Sequence, residues 1–289
     1  MRITVYGQTD VGLIRPNNED AFVIADLTHD RVVEEKRLAR FEIGEAGVLL
    51  AVSDGMGGHK AGEVASAIVV DSLRRALTSR ARSATRDEVL VEQATKQANR
   101  EVWQAAQEPG RERMGATLTG MLVRGTMAHI AEVGDSRAYL LRSGAIEQVT
   151  RDQSYVQQLI DKGHLAEEEA EQSPFSNVIL QAMGLGPDVK VALGRLELRR
   201  RDCLILCSDG LSKKVSPEQM RGIVLGSPHL DAACVSLVET AKRRGGQDNI
   251  TVIAAGVSGD ELPQPTPGET IGDTLQILQE FDAPLPASR

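Results

Sequence analysis

Cysteine is scarce in this chain: Cys203, Cys207 and Cys234 are its only three, too few for the disulfide framework that staples small secreted domains. Cys203 and Cys207 stand four apart on one apolar run, about 13 Å from each other along a strand, beyond disulfide reach. They read as small core hydrophobes. Aromatic residues make up 3% of the sequence, so the core must be assembled from Val, Leu, Ile and Ala. No apolar run is long enough to span a bilayer, and the opening MRITVYGQTDVG lacks the apolar centre of a signal peptide. These absences predict a soluble, cytoplasmic protein. Basic residues are outnumbered, 33 Lys and Arg against 41 Asp and Glu for a net charge of −8, which points away from nucleic acid.

What the chain has instead is a recurring placement of acids. Val48 to Gly62 reads VLLAVSDGMGGHKAG. A continuous apolar run, of the kind that forms a strand buried on both faces, changes abruptly into Ser53, Asp54 and a glycine-rich turn. A helix-period run follows, with Val64, Ala65, Ile68, Val69, Leu73, Ala76 and Leu77 at threes and fours. Asp54 thus stands where a core strand ends, beside backbone that Gly55 lets approach a ligand closely. That suits a hard cation, which takes carboxylate and carbonyl oxygens. Asp54-Gly55 alone is equally an ordinary turn dipeptide. Three more acids share the setting, however: Asp135 in AEVGDSRAYLL, Asp209 in CLILCSDGL and Asp248 in GGQDNITVIAAG, while the pair Glu19-Asp20 stands in RPNNEDAF. Carboxylates held at several strand ends present a cluster of oxygen ligands without burying unpaired charge.

Periodicity outlines the elements. Strands are expected at 2–6 and 21–26, paired like a hairpin, then near Phe41, at 116–124, 127–133, 136–142 and 145–149, and at 190–198, 203–207 and 250–257. Helices are expected at 61–79, from a Thr85/Glu88 capping box to about 106, in two short pieces over 152–172, from Ser216 to Gly226 and over 231–244. The charged stretch 28–47 reads as a solvent-exposed excursion carrying Arg31, Lys36, Arg37 and Arg40. Residues 259–289, opening with the proline-containing GDELPQPTPGET, read as a flexible tail after a domain spanning 1–258, with ILQEF as a helical turn. The sum is an α+β arrangement of antiparallel sheets with helices outside.

RPNNEDA, VSDGMGGHKAG, MGATL, VGDSRAYLL, LCSDGL and GGQDNIT, in this order and at these separations, resemble the motif series of the PPM family. These are the metal-dependent serine/threonine protein phosphatases (type 2C), here in the bacterial form. The resemblance covers roughly residues 5 to 257. It implies a four-layer α-β-β-α sandwich with a binuclear Mn²⁺ or Mg²⁺ centre at one edge of two antiparallel sheets. Asp54 would bridge the ions, Asp209 and Asp248 would ligate the first, and Glu19 and the Gly55 carbonyl would serve the second. Asp20 would hold water around them, and Asp135 with Asp209 would help form a third ion site. Arg15 matches the phosphate-binding arginine. The implied activity is hydrolysis of phosphoserine and phosphothreonine in proteins by water or hydroxide activated at the metals. The implied partners are phosphoproteins and a bacterial Ser/Thr kinase or its targets, and the chain is expected to be a monomer.

Elementary chemistry agrees. A phosphate monoester is among the hardest common bonds to hydrolyse, and two ions about 3.5–4 Å apart can both acidify a water and stabilise phosphoryl charge. An all-oxygen donor set favours Mg²⁺ or Mn²⁺, and the planar fork of Arg15 can hold two phosphate oxygens. No protein nucleophile is required, and no cysteine lies in a glycine-rich, arginine-ended loop.

The chain also departs from the pattern. Met56 stands where some relatives, mainly eukaryotic, carry a histidine proposed as general acid; His59 follows three residues later and reads better as an exposed turn histidine than as that acid. Ser173-Pro174 replaces His-Pro, and Gln181 stands where arginine is common, both in the segment 150–185 expected to form a flap. Trp103 and His129 read as structural, and Thr117 as a ladder residue near the site. Two alternatives stay open: a pseudophosphatase that binds phosphoprotein without turnover, and a phosphatase of small esters.

Overall fold

The apolar run Val48–Val52 is continuous because both faces of its strand are covered. The structure, a computed structural model, describes residues 1–57, 61–80, 84–111, 113–166, 169 and 173–282. In it the run opens β5 (Val48–Met56). Val48, Leu50 and Val52 point toward a second sheet, while Leu49 and Ala51 point toward helices, the two-residue alternation of a pleated strand.

Around β5 lie β2 (Asp20–Asp26), β3 (Arg31–Val32), β6 (Gly115–Ala116), β7 (Leu118–Arg124), β8 (Met127–Val133), β11 (Ala192–Glu197) and β14 (Leu275–Gln279). They form an eight-stranded sheet ordered β14-β11-β8-β7-β5-β2-β3, with β6 pairing β5. The facing sheet has six strands: β1 (Arg2–Asp10), β4 (Ala39–Glu42), β9 (Arg137–Arg142), β10 (Ala145–Gln148), β12 (Cys203–Cys207) and β13 (Ile250–Ser258). Its order is β10-β9-β12-β13-β1-β4. Neighbouring strands pair antiparallel throughout both sheets.

Between the sheets sits an apolar layer that includes Ile3, Val5, Val52, Leu204, Leu206, Ile253 and Ala255. Helices α1 (Ala61–Arg80) and α2 (Asp87–Ala105) cover the outer face of the eight-stranded sheet. Two short helices, α3 (Tyr155–Asp161) and α4 (Asp209–Ser212), follow. On the other side α5 (Pro217–Gly226) and α6 (Leu230–Arg243) close over Cys203, Ile205 and Cys207. This is the expected four-layer sandwich, and all three cysteines are buried and free. No helix among the described residues is long and apolar enough to cross a membrane.

Four expectations need correction. First, β1 and β2 are not a hairpin: β1 pairs β13 and β4, β2 pairs β5 and β3, and the loop between them crosses from one sheet to the other. Second, α2 takes Arg86 rather than Thr85 as its N-cap, with no side-chain cap bond from that residue. By contrast, Ser216 and Gln219 do close a capping box on α5. Third, of the helical stretch 152–172, the first piece is α3, which starts at Tyr155 rather than 152, while residues 167, 168 and 170–172 of the second lie outside the described residues.

The fourth correction concerns the tail. Its described residues, 259–282, hold packed anchors. Leu262 and Ile271 are 1% and 3% exposed, within the layer between the sheets. Glu269 takes a two-oxygen ion pair from Arg199, and Thr274 accepts from Arg142, which is itself buried against Asp202. β14 then pairs with β11 from Leu193↔Gln279 to Leu196↔Leu275, so Ile277 to Gln279 of ILQEF are strand, not helical turn. Pro267 opens a turn between these anchors, and Pro263 and Pro265 lie in irregular chain next to the buried Leu262.

Candidate active site

The acids singled out in the sequence are brought together at one edge of the sandwich, on loops and strand ends of both sheets. Asp20 and Asp54 are direct cross-strand partners on β2 and β5, a placement in which two like charges repel. The backbone amide of Asp54 donates to Thr117 Oγ1 at 2.9 Å, and the amide of Thr117 returns a bond to Asp54 O at 2.8 Å. Thr117 Oγ1 also meets Ser136 Oγ at 2.7 Å. One threonine therefore ties the Asp54 strand end to the residue beside Asp135. From the other sheet, Ser208 and Thr251 each donate a hydroxyl to Asp20 Oδ2 at 2.7 Å. Asn249 binds the Glu19 amide through Oδ1 at 2.7 Å and donates to the carbonyls of Val11 and Asn17.

Glycine is required here by close approach. A Cβ on Gly55 would lie 2.1 Å from the Gly62 carbonyl oxygen, and one on Gly62 would lie 2.7 Å from the Glu19 carboxyl carbon. A side chain at Gly55 would displace the Gly62 backbone, and one at Gly62 would displace the Glu19 carboxyl.

The electrostatics are those of crowded negative charge. Burial first, then Asp20, Asp209, Asp135 and Asp248, push the Asp54 carboxyl well above the ordinary range. Asp20 is pushed up to about 7 by burial against the pull of its two hydroxyl donors, with Asp209 and Asp248 adding to the rise. Asp135 rises to about 7 through burial and Asp209. Glu19 also rises, through burial, against the opposing effect of Arg15.

Among the described residues two cations answer this charge. Arg15 Nη2 lies 2.9 Å from Asp248 Oδ2, and that bond raises its own pKa. Lys213 Nζ lies 2.6 Å from Asp209 Oδ2 and 2.7 Å from Asn177 Oδ1. Burial works to lower the Lys213 pKa, and Asp209 outweighs it. Sequence reasoning missed Lys213, although Asp209 and Lys213 stand at the i, i+4 spacing of a helical turn. It also passed over Asn249, Ser208 and Thr251, whose roles depend on the pairing of β12 with β13.

A divalent cation fits this donor set. Among the described residues Asp20 Oδ1 and Asp209 Oδ1 are buried with no hydrogen-bond partner, a state that costs about 1–3 kcal/mol per group. Every candidate donor is oxygen, as Mg²⁺ and Mn²⁺ prefer. Among the described residues no three acidic, His or Cys side chains close on one point as a ready-made cage, consistent with Asp209 and Asp248 being turned toward Lys213 and Arg15. Met56 ends β5 after Gly55. His59 lies outside the described residues. Gln181 of the expected flap does not reach the acids and instead binds Gln153 and the Lys190 backbone.

Comparison with known proteins points the same way. Residues 36–248 match the family profile described as Protein phosphatase 2C. The chain is 36% identical over 280 residues to the serine/threonine protein phosphatase PstP of Mycobacterium tuberculosis, covering 93% of this chain and 48% of that protein. It thus spans about half the length of that relative. It is 33% identical over 249 residues to the serine/threonine phosphatase Stp of Listeria innocua, covering 85% of this chain and 92% of that one. Among solved structures, the catalytic domain of PstP in complex with two manganese ions aligns with a TM-score of 0.73 at 34% identity, covering 90% of this chain and 100% of that one.

Proposed function

Because the chain belongs to the protein phosphatase 2C family, we propose that it hydrolyses phosphoserine and phosphothreonine esters of proteins, opposing a Ser/Thr kinase. The observation that carries this reading is that Asp20, Asp54, Asp135, Asp209 and Asp248 lie near enough to raise one another's pKa values, with oxygens of Asp20 and Asp209 unpartnered among the described residues. Asp54, Asp209 and Asp248, with Glu19 and the Gly55 carbonyl, would hold two Mn²⁺ or Mg²⁺ ions, and Asp135 with Asp209 would serve a third. When bound, such ions supply an acidified water and positive charge for the phosphoryl oxygens.

The chain's own residues then do the positioning. Thr117 and Ser136 fix the Asp54 strand end, and Ser208 with Thr251 fixes one oxygen of Asp20 while leaving the other to orient water. Arg15, half exposed at the rim, turns its fork from Asp248 toward an arriving phosphoryl group and holds it by paired hydrogen bonds. Lys213 must release Asp209 Oδ2 for that oxygen to ligate, and its bond to Asn177 links that release to the flap segment.

The test is initial-rate hydrolysis of para-nitrophenyl phosphate and of a phosphothreonine peptide, with EDTA, Mg²⁺ or Mn²⁺, beside Asp54→Ala. Mn²⁺ binding is followed separately by calorimetry. Metal-dependent turnover that the variant loses along with Mn²⁺ binding supports the proposal. Phosphopeptide binding without turnover under any metal would replace it with the pseudophosphatase.

A further inference from the structure

We propose that a cavity on the far side of the Asp135 loop is a binding site for a small organic amine with an apolar body. The cavity has a volume of about 560 Å³, within the range of roughly 300–1,000 Å³ typical of small-molecule sites. Its walls include Ile130 and Glu132 of β8, Gln157 of α3, Leu193 of β11, and Leu275 and Ile277 of β14. None of the acids of the candidate active site lines it. The tail strand therefore builds one side of the pocket.

Glu132 marks the chemistry. It is 3% exposed, yet it lines the cavity. Its carboxyl takes the Arg151 amide on Oε2 at 2.9 Å and a hydrogen bond from the Thr150 side chain, while among the described residues its Oε1 is buried with no hydrogen-bond partner. Its cross-strand neighbours explain that vacancy of partners: Ala192 on β11 has nothing to donate, and the Thr119 hydroxyl on β7 is spent on the Ser136 carbonyl at 2.7 Å. An acceptor held this way lacks only a donor from the cavity.

The surrounding charge selects which donor. Among the described residues the lining holds Glu132, Asp152, Asp161, Glu280 and Asp282 against Arg151 and Lys162, with Asp152 already paired to Arg137 at 2.7 Å. Arg151 is already paired with Asp161, whose other contact is the Gln157 amide. Glu280 and Asp282, at the end of the described tail, also line it. Such a lining repels carboxylates and phosphates and attracts an ammonium group, while Ile130, Leu275 and Ile277 cover an aliphatic body. Burial holds the Glu132 carboxyl well above its ordinary pKa, so an arriving cation supplies the compensation that the fold withholds.

The experiment is isothermal titration of the full chain with hexylamine, 1-hexanol and hexanoate, which share length and differ in charge. Hexylamine is expected to bind about tenfold or more tightly than 1-hexanol, the advantage of a charge-assisted hydrogen bond. Glu132→Gln is expected to abolish that advantage and leave 1-hexanol unchanged. Ile277→Lys sits on a half-exposed strand position and brings a competing cation to the cavity without disturbing the core; it too is expected to weaken hexylamine about tenfold. Equal binding of amine and alcohol, retention of amine affinity in Glu132→Gln or in Ile277→Lys, or no heat from hexylamine at millimolar concentration would each overturn the assignment.

Discussion

Ile271→Ala separates a packed tail from a tethered one. Ile271 is 3% exposed and sits in the layer between the two sheets, beside Leu262, twelve residues beyond the point where the sequence turns rich in proline. Truncating a fully buried isoleucine to alanine removes its transfer free energy and leaves a cavity, together about 2–5 kcal/mol. For a domain of this size each kcal/mol moves the melting temperature by roughly 2–4 °C, so a fall of roughly 4–20 °C is expected. Calorimetry gives the midpoint, and urea unfolding gives the free energy directly. A flexible tail would leave the variant within about 0.5 kcal/mol of wild type, as exposed substitutions do. A result in that range would refute the packing of residues 259–274 against the core.

Other perturbations probe the site and its surroundings. Arg15→Ala is expected to raise KM for phosphate esters without weakening Mn²⁺ binding, because it removes a phosphate fork and frees Asp248; unchanged KM and kcat would remove Arg15 from the site. Gly62→Ala is expected to displace the Glu19 carboxylate, since the new Cβ would lie 2.7 Å from Glu19 Cδ, and calorimetric Mn²⁺ affinity equal to wild type would contradict that. Glu132→Gln tests linkage. The folded-state pKa of Glu132 is raised by burial, so the folded chain holds a proton that the unfolded chain has released, and wild-type stability falls as pH rises above the unfolded value. The stability difference should therefore move in favour of Glu132→Gln between about pH 5 and about pH 8, read from urea midpoints, and a constant difference would count against the buried charge.

Much of the fold was legible because both faces of the central strands are buried. Continuous runs such as Val48–Val52 and Cys203–Cys207 announce strands sandwiched between layers, and the turn glycines announce where they end. The acids were legible because each follows or precedes such a run. What the sequence did not display was partnership across sheets. Nothing in residues 2–6 and 21–26 says that one pairs with β13 and the other with β5, because that depends on the course of the loop between them. Lys213 looked like one more surface lysine, and only the turn of α4 lays it on Asp209. The tail was misread for a physical reason: its anchors, Leu262, Ile271 and Leu275, are single residues spaced by polar and proline-containing stretches, so no periodic pattern forms.

β14 has a consequence for how the chain behaves in company. Without it, β11 would be the outermost strand of the eight-stranded sheet, offering its unpaired amides and carbonyls to any extended segment. The chain shields that edge with its own C-terminal region, which makes the region a guard against self-association as well as a source of stability. Clipping before Leu275 would therefore change the quaternary behaviour of the protein: an exposed β11 templates pairing between copies, and the trimmed chain should sediment as larger species as its concentration rises.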